Sequence, residues 1–132
     1  MITKIDHIAI VTPDLDSATG FWADALGLTI ARTEHVPTEE VNIAFLPVGK
    51  SDIELLAPTT ATSGVAKYLD KHGAGMHHIC LESDDLDSDL ARLRAADVPL
   101  ITEEAITNAH GKRYAFIHPK GTGGVLIELY EK

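Results

Sequence analysis

The sequence has little cysteine, no long apolar run and few basic residues, and each shortage excludes something. Cys80 is the only cysteine among 132 residues, so no disulfide forms within the chain, which fits a reducing compartment. No apolar segment approaches the roughly 18–20 residues that cross a bilayer. The first residues lack the basic start, apolar stretch and small-residue cleavage site of a signal peptide, so we expect a cytoplasmic location.

Basic residues are outnumbered, with 11 Lys and Arg against 20 Asp and Glu, which gives a formal net charge of −9. This charge argues against nucleic acid and against anionic membranes as partners. It also argues against an anionic small substrate unless a local basic cluster overrides the overall field. The hydrophobic fraction of 45% is enough for a folded core, and the length indicates one domain.

An internal repeat is the most informative feature that is present. A shift of 71 residues carries His7 onto His78, and the apolar runs around both histidines, residues 5–10 and 76–81, then coincide. Glu54 and Glu128 form a second pair, each flanked by apolar residues in a strand-like run. We therefore predict one domain, residues 1–132, built from a duplicated unit (1–58 and 75–132) with a linker at 59–74.

The secondary-structure pattern is the same in both halves. Helices are predicted after Thr12 and Ser83, two favourable N-cap residues, and Leu86, Leu90 and Leu93 recur at helical spacing in the second helix. Strand-like runs follow each helix, at 28–35, 41–48 and 51–57 and then at 99–102, 112–118 and 124–130. A short helix at 63–71 lies in the linker. Each half reads β-α-β-β-β, which makes the fold class α+β.

The apolar neighbours of the repeated histidines and glutamates indicate that these residues form a site. A carboxylate between apolar neighbours in a strand is costly to bury unless it is paired or bound to a metal. If two histidines and two such carboxylates surround a divalent cation, binding to the cation offsets the cost of burying the carboxylates. We therefore predict a metal site made of His7, Glu54, His78 and Glu128.

Several segments carry a resemblance to a known family: residues 5–8, 45–49, 53–58, 75–79, 110–113 and 118–129. The chain resembles the vicinal oxygen chelate, or glyoxalase-like, superfamily, and over nearly its whole length it is similar to the methylmalonyl-CoA epimerases. The closing segment discriminates best among members. The resemblance implies two βαβββ modules that form a curved, barrel-like mixed sheet around the metal site.

The resemblance also implies a reaction. These enzymes interconvert (2R)- and (2S)-methylmalonyl-CoA by removing the α-proton through a metal-stabilised enolate. Glu128 would be both a ligand and an acid/base group. The implied cofactor is a divalent ion, cobalt first, although zinc, manganese, nickel and iron also suit imidazole and carboxylate ligands. Relatives commonly form homodimers, so a homodimer is expected.

One position departs from the family pattern. Well-studied members carry a second glutamate in the strand after the first helix, and Ile43 occupies that position here. Glu39, Glu40, another group or water must then transfer the second proton, or the activity differs. For the anionic phosphates of coenzyme A, the candidate contacts are Lys112, Arg113 and Lys120.

Three other functions compete with this hypothesis. A glyoxalase I-type lyase acting on a glutathione hemithioacetal would use a similar ligand set, but the closing segment argues against it. An extradiol-type dioxygenase would use two histidines and one glutamate on iron and would not need Glu54. A protein that only sequesters a small molecule would not need the four ligands.

Overall fold

The computed structural model describes residues 1–132, which contain eight strands and three α-helices. In chain order the elements are β1 (Ile2–Val11), α1 (Leu15–Thr19), a π-helical segment (Gly20–Ala25), β2 (Arg32–Val36), β3 (Val41–Val48), β4 (Ser51–Pro58), α2 (Gly64–His72), β5 (Gly75–Ser83), α3 (Leu86–Ala95), β6 (Ile106–Thr107), β7 (Arg113–Ile117), a 3₁₀ turn (Pro119–Gly121) and β8 (Ile127–Glu131). No helix has the length and apolar character needed to cross a membrane.

The strands follow one another in the sheet in the order β2-β3-β4-β1-β5-β8-β7-β6, and strand pairs of both directions occur. A mixed sheet with separate helices confirms the predicted α+β class. The chain divides into two compact units. Residues 8–77 form the first unit, and residues 1–7 with 78–132 form the second, so β1 contributes to both.

The first unit is built on the antiparallel strands β2, β3 and β4. Because side chains alternate along a strand, the two faces of these strands build separate apolar clusters. Ala44, Leu46 and Leu55 form one cluster, against which Leu15 and Trp22 from the first helical segment pack. The other cluster consists of buried Ala9, Val11, Val41 and Leu56, with Val65, Tyr68 and Leu69 of α2 packed against it.

The second unit joins β5 and β8 in parallel and β8 and β7 antiparallel. Helix α3 covers one face, where its buried Leu86 and Leu90 pack with Leu129 of β8. Burying a leucine side chain of this size contributes about 1.5–3 kcal/mol, so α3 and β8 hold each other in place. The opposite face of β8 is therefore the one that remains for polar side chains.

The predicted strand at 99–102 is wrong. Leu100 makes only an isolated bridge to Ile117, and the short strand that pairs with β7 is β6, Ile106–Thr107. The amides of Ile101 and Thr102 both donate to the single carbonyl of Phe116, at 3.0 and 3.2 Å. Two donors on one acceptor cannot continue a regular ladder, and this explains why the run does not form a strand.

Both predicted N-caps are displaced by two residues. Asp14 caps α1 and Asp85 caps α3, with their carboxylates accepting from the amides of Asp16 and Ser88. The hydroxyl of Ser83 instead accepts from the amide of Asp85 at 3.1 Å and donates to buried Asp89 at 2.6 Å. Aspartate satisfies the free amides of a first turn as well as serine or threonine does, so the nearer aspartate takes the position.

Candidate metal centre

Three of the four predicted ligands meet in the second unit. Nε2 of His7 lies 3.1 Å from Nε2 of His78, and Oε2 of Glu128 lies 3.3 and 2.9 Å from these two atoms. All three residues are buried, with exposed fractions of 7–8%. The atoms come from three strands, β1, β5 and β8, and are close enough together to hold one metal ion.

Strand alternation places these side chains. On β8, Leu129 faces α3 and the apolar core, so its neighbour Glu128 points to the opposite face. The parallel register sets Cys80 of β5 beside Glu128, and Cys80 shares its face with His78 two residues earlier. The ring of Phe116, which is paired with Glu128 in the antiparallel register, packs edge-on against His78 with ring centroids 5.7 Å apart.

The donor atoms fit a divalent cation. Ligand atoms bound at about 2.1 Å to one ion lie about 3.0 to 3.4 Å apart when the bond angles are roughly 90° to 109°. The three observed separations, 2.9, 3.1 and 3.3 Å, are close to this interval. Two imidazoles and a carboxylate are ligands that transition metals such as cobalt, zinc and iron accept.

The electrostatics of Glu128 agree with this arrangement. Burial on its own would raise the pKa of this carboxyl, but hydrogen bonds with His7 and His78 outweigh it and lower the pKa to about 2. Glu128 is therefore ionised at neutral pH. A buried carboxylate between two imidazoles stands ready to bind a cation without first losing a proton.

His7 has a second partner that the sequence pattern does not predict. Its Nδ1 lies 2.9 Å from Oδ2 of Asp6, the preceding residue. Alternation assigns neighbouring side chains to opposite faces, so the pattern offers no signal for this contact. Cys80 belongs to the same neighbourhood, and burial raises the pKa of its thiol to about 12 although hydrogen bonding to His7 opposes the rise.

Glu54, the fourth predicted ligand, lies in the first unit, on β4. It is partly buried and stands opposite Phe45 of β3, and the three-residue cluster of the second unit does not include it. Its role as a ligand stays a prediction.

Ile43, which takes the position of the expected second base, packs against the apolar cluster around Val41 and Leu56. Ile43 therefore fills a position beside the apolar core, and its side chain cannot transfer a proton.

Of the two predicted replacements for the second base, Glu40 accepts a hydrogen bond from the hydroxyl of Thr62 at 3.1 Å, and Glu39 is exposed. The β2–β3 register reveals a third carboxylate, because it sets Glu34 directly opposite Ile43.

The predicted coenzyme A contacts differ in their surroundings. Lys112 and Lys120 are exposed. Arg113 is bound to two carboxylates, with its Nη2 2.6 Å from Asp87 and its Nη1 2.9 Å from Glu131. Arg113 is thus neutralised within the fold, and the two lysines are the stronger candidates for binding phosphate.

Comparison with known families identifies the superfamily of this chain. Residues 6–116 match the model of the Glyoxalase/Bleomycin resistance protein/Dioxygenase superfamily. The chain belongs to this superfamily, which is the one that the sequence resemblance indicated.

Individual relatives narrow the assignment. Human mitochondrial methylmalonyl-CoA epimerase is 38% identical over 127 residues, which cover 96% of this chain and 72% of that protein. The ethylmalonyl-CoA/methylmalonyl-CoA epimerase of Cereibacter sphaeroides is 36% identical, with 98% of each chain covered. A variant of Streptomyces coelicolor methylmalonyl-CoA epimerase, solved in complex with 2-nitronate-propionyl-CoA, superposes with a TM-score of 0.89 at 36% identity, covering 100% of this chain and 96% of that one. Within the superfamily, the chain belongs to the methylmalonyl-CoA epimerase family.

Proposed function

We propose that this enzyme interconverts (2R)- and (2S)-methylmalonyl-CoA with the help of a divalent metal ion. The observation that carries the proposal is the buried cluster of His7, His78 and Glu128, whose donor atoms have the spacing of metal ligands. Membership of the epimerase family supports the substrate, an acyl-CoA whose α-carbon lies between a thioester and a carboxylate.

His7 and His78 would hold the ion through Nε2, and Glu128 through Oε2. When bound, the ion supplies Lewis-acid stabilisation of the negative charge that develops as the α-proton leaves. Glu128 is the proposed acid/base group, because it supplies the carboxylate of the three-residue cluster. Glu128 lies on the face of β8 opposite Leu129, which packs into the core with α3. The low exposure of the three residues limits access of bulk water to the cluster.

Epimerisation removes a proton from one face of the α-carbon and returns one to the other face, so a second group is needed. We assign this role to Glu34. In the first unit it shares a sheet face with Ile43, its partner on β3, and the same face of β3 carries Phe45, whose β4 partner is Glu54. The register thus sets a carboxylate on β2 opposite the position at which the family carries its glutamate, and this register is the support for the proposal. The present partner of Glu34 is Arg32, at 2.8 Å.

Other features of the proposal come from the family alone. Cobalt is the expected metal, with zinc, manganese, nickel or iron as alternatives. A homodimer, a cytoplasmic location and a place in propionate metabolism are also expected. Each is open to direct measurement: metal content after purification, mass in solution, and localisation of the tagged protein.

Incorporation of solvent deuterium into methylmalonyl-CoA tests the reaction. We expect exchange at the α-carbon that stops on chelation and returns on addition of cobalt. Glu128→Gln should slow the exchange about 10²–10⁴-fold, the usual contribution of a positioned acid/base group. Absence of exchange with every metal, together with turnover of a glutathione hemithioacetal, would assign the site to a lyase instead. Ethylmalonyl-CoA should be assayed beside methylmalonyl-CoA, since the Cereibacter relative is named for both.

A further inference from the structure

We propose that Asp6 is a positioning residue for the metal centre: it fixes His7 in the tautomer that leaves Nε2 free to bind the ion. This inference rests on the metal site proposed above. It concerns a residue that is not a ligand in that site, and it is argued from the contacts of Asp6 within the second unit.

The contact between the two side chains defines the proton on His7. Oδ2 of Asp6 lies 2.9 Å from Nδ1 of His7, and an ionised carboxylate can only accept a hydrogen bond. Nδ1 must therefore carry the proton and donate it. A neutral imidazole protonated at Nδ1 keeps its lone pair on Nε2, the atom that faces His78 and Glu128.

Asp6 is itself held in place by a charged neighbour. Its other oxygen, Oδ1, lies 3.5 Å from Nζ of Lys4, which also approaches Oε2 of Glu82 at 3.7 Å. Glu82 in turn accepts from the hydroxyl of Thr3 at 2.6 Å. The two oxygens of Asp6 thus have separate partners, one for the histidine and one for the lysine, so the carboxylate has little freedom to turn away.

The position of Asp6 excludes it as a ligand to the same ion. Nδ1 and Nε2 lie on opposite sides of an imidazole ring, and Asp6 occupies the Nδ1 side while Glu128 occupies the Nε2 side. Carboxylates that accept the second N–H of a metal-binding histidine set the ring orientation and raise its basicity. Asp6 has the geometry of such a group.

The internal repeat does not place a carboxylate before the second histidine. The shift that carries His7 onto His78 carries Asp6 onto His77, a residue that cannot be a carboxylate acceptor. His77 packs instead against the ring of Tyr68, with centroids 4.6 Å apart. The two histidine strands are therefore not equivalent, and removing Asp6 should weaken the centre through His7 alone.

The test measures metal binding and does not depend on turnover. Metal-free protein is titrated with Zn²⁺ and with Co²⁺ by calorimetry for the wild type, Asp6→Leu, Asp6→Asn and Glu82→Gln. Leucine removes the acceptor at similar size, whereas asparagine keeps one acceptor oxygen. Glu82→Gln is the matched control, because it alters a carboxylate that touches Lys4 but not His7. Asp6→Ala replaces Asp6→Leu if the leucine variant does not fold.

We expect Asp6→Leu to raise the metal Kd about 10–100-fold, the usual cost of losing an outer-shell partner, and Asp6→Asn to recover most of that loss. Glu82→Gln should stay within about twofold, because Glu82 touches Lys4 at 3.7 Å and does not touch His7. In the Zn²⁺ form, the ¹H–¹⁵N spectrum should show the Nδ1–H of His7 in the wild type and lose it in Asp6→Leu.

Two results would overturn the inference: equal affinity in Asp6→Leu and wild type, or an equal loss in Glu82→Gln and Asp6→Leu. A wild-type protein that binds neither metal would reject the proposed function itself, so the two failures are distinguishable.

Discussion

Nε2 of His7 and Nε2 of His78 lie 3.1 Å apart inside the second unit, and each histidine belongs to the interior of its own strand, β1 or β5. Facing imidazole nitrogens either share a proton or share a cation. Because Nδ1 of His7 donates to Asp6, a His7 ring that binds a metal ion as a neutral imidazole has its lone pair on the facing nitrogen, Nε2. That lone pair points toward Nε2 of His78 and Oε2 of Glu128, where a metal ion would bind.

Replacing one of these histidines should destroy metal binding. His78→Ala removes a ligand outright, so we expect the metal Kd to rise by more than the about 10–100-fold typical of an outer-shell change. His35→Ala is the control, because His35 is exposed and hydrogen-bonds to Asn42. Calorimetry on metal-free protein measures both. A His78→Ala variant that retains metal and activity would show that the site is assigned to the wrong residues.

The second proton-transfer group can be located by exchanging carboxylates for amides. Glu34→Gln should lower kcat for epimerisation about 10²–10⁴-fold, whereas Glu39→Gln and Glu40→Gln should leave it nearly unchanged. The first half of the reaction, deuterium exchange into one epimer, should survive in Glu34→Gln because Glu128 is intact.

A rescue experiment sharpens this comparison. Ile43→Glu in the Glu34→Gln background returns a carboxylate to the paired position on β3 and should restore part of the lost kcat. Equal rates in wild type and Glu34→Gln would exclude Glu34 and return attention to Glu39, Glu40 or water.

Exposed lysines should bind the phosphates of coenzyme A. Lys112→Ala and Lys120→Ala should each raise KM about fivefold, which corresponds to about 1 kcal/mol for an exposed charge pair, with kcat unchanged. The effect should shrink as salt is added, because exposed charges are screened. Lys67→Ala, an exposed lysine of α2, serves as the control. Unchanged KM in both variants would move the coenzyme A contacts elsewhere.

Asp89 should make the stability of α3 depend on pH. Burial opposes the ionised form, but hydrogen bonds from Ser83 and Arg92 outweigh it and hold the pKa of Asp89 below its usual 3.8. A carboxyl with a lowered pKa in the folded state stabilises the protein fully above its unfolded value. This stabilisation is lost as the pH falls through the folded pKa.

Asp89→Asn should therefore lower the free energy of unfolding by about 1–3 kcal/mol at pH 7, and the difference from wild type should shrink below about pH 4. Chemical denaturation at several pH values measures this. Asp24→Asn, at an exposed aspartate, should stay within about 0.5 kcal/mol throughout. A difference that is constant from pH 7 to pH 3 would mean that packing, and not charge, is lost.

Local patterns predicted much of the second unit. Leu86 and Leu90 recur at helical spacing and are the residues that α3 buries, and the apolar neighbours of His78 and Glu128 predicted strands with one polar face. These predictions depend only on the periodicity of single elements. They were enough to nominate three residues that the structure brings together.

Other features depend on contacts that periodicity does not encode. The run around Leu100 has the composition of a strand, but two of its amides share one carbonyl and the pairing partner of β7 lies further along the chain. The contact of Asp6 with His7 depends on side-chain rotamers, for which alternation along the strand gives no signal. The position of Glu34 opposite Ile43 becomes visible only from the strand register.

The buried thiol of Cys80 offers an internal reporter of strand opening. It is fully buried on β5, it is the only cysteine of the chain, and its raised pKa keeps it protonated. Alkylating reagents act on thiolates, so labelling of the folded protein requires β5 to detach from its neighbours. The rate of labelling thus reads out local unfolding beside the ligands with no engineered probe, and a bound ion that ties β1, β5 and β8 together should slow it.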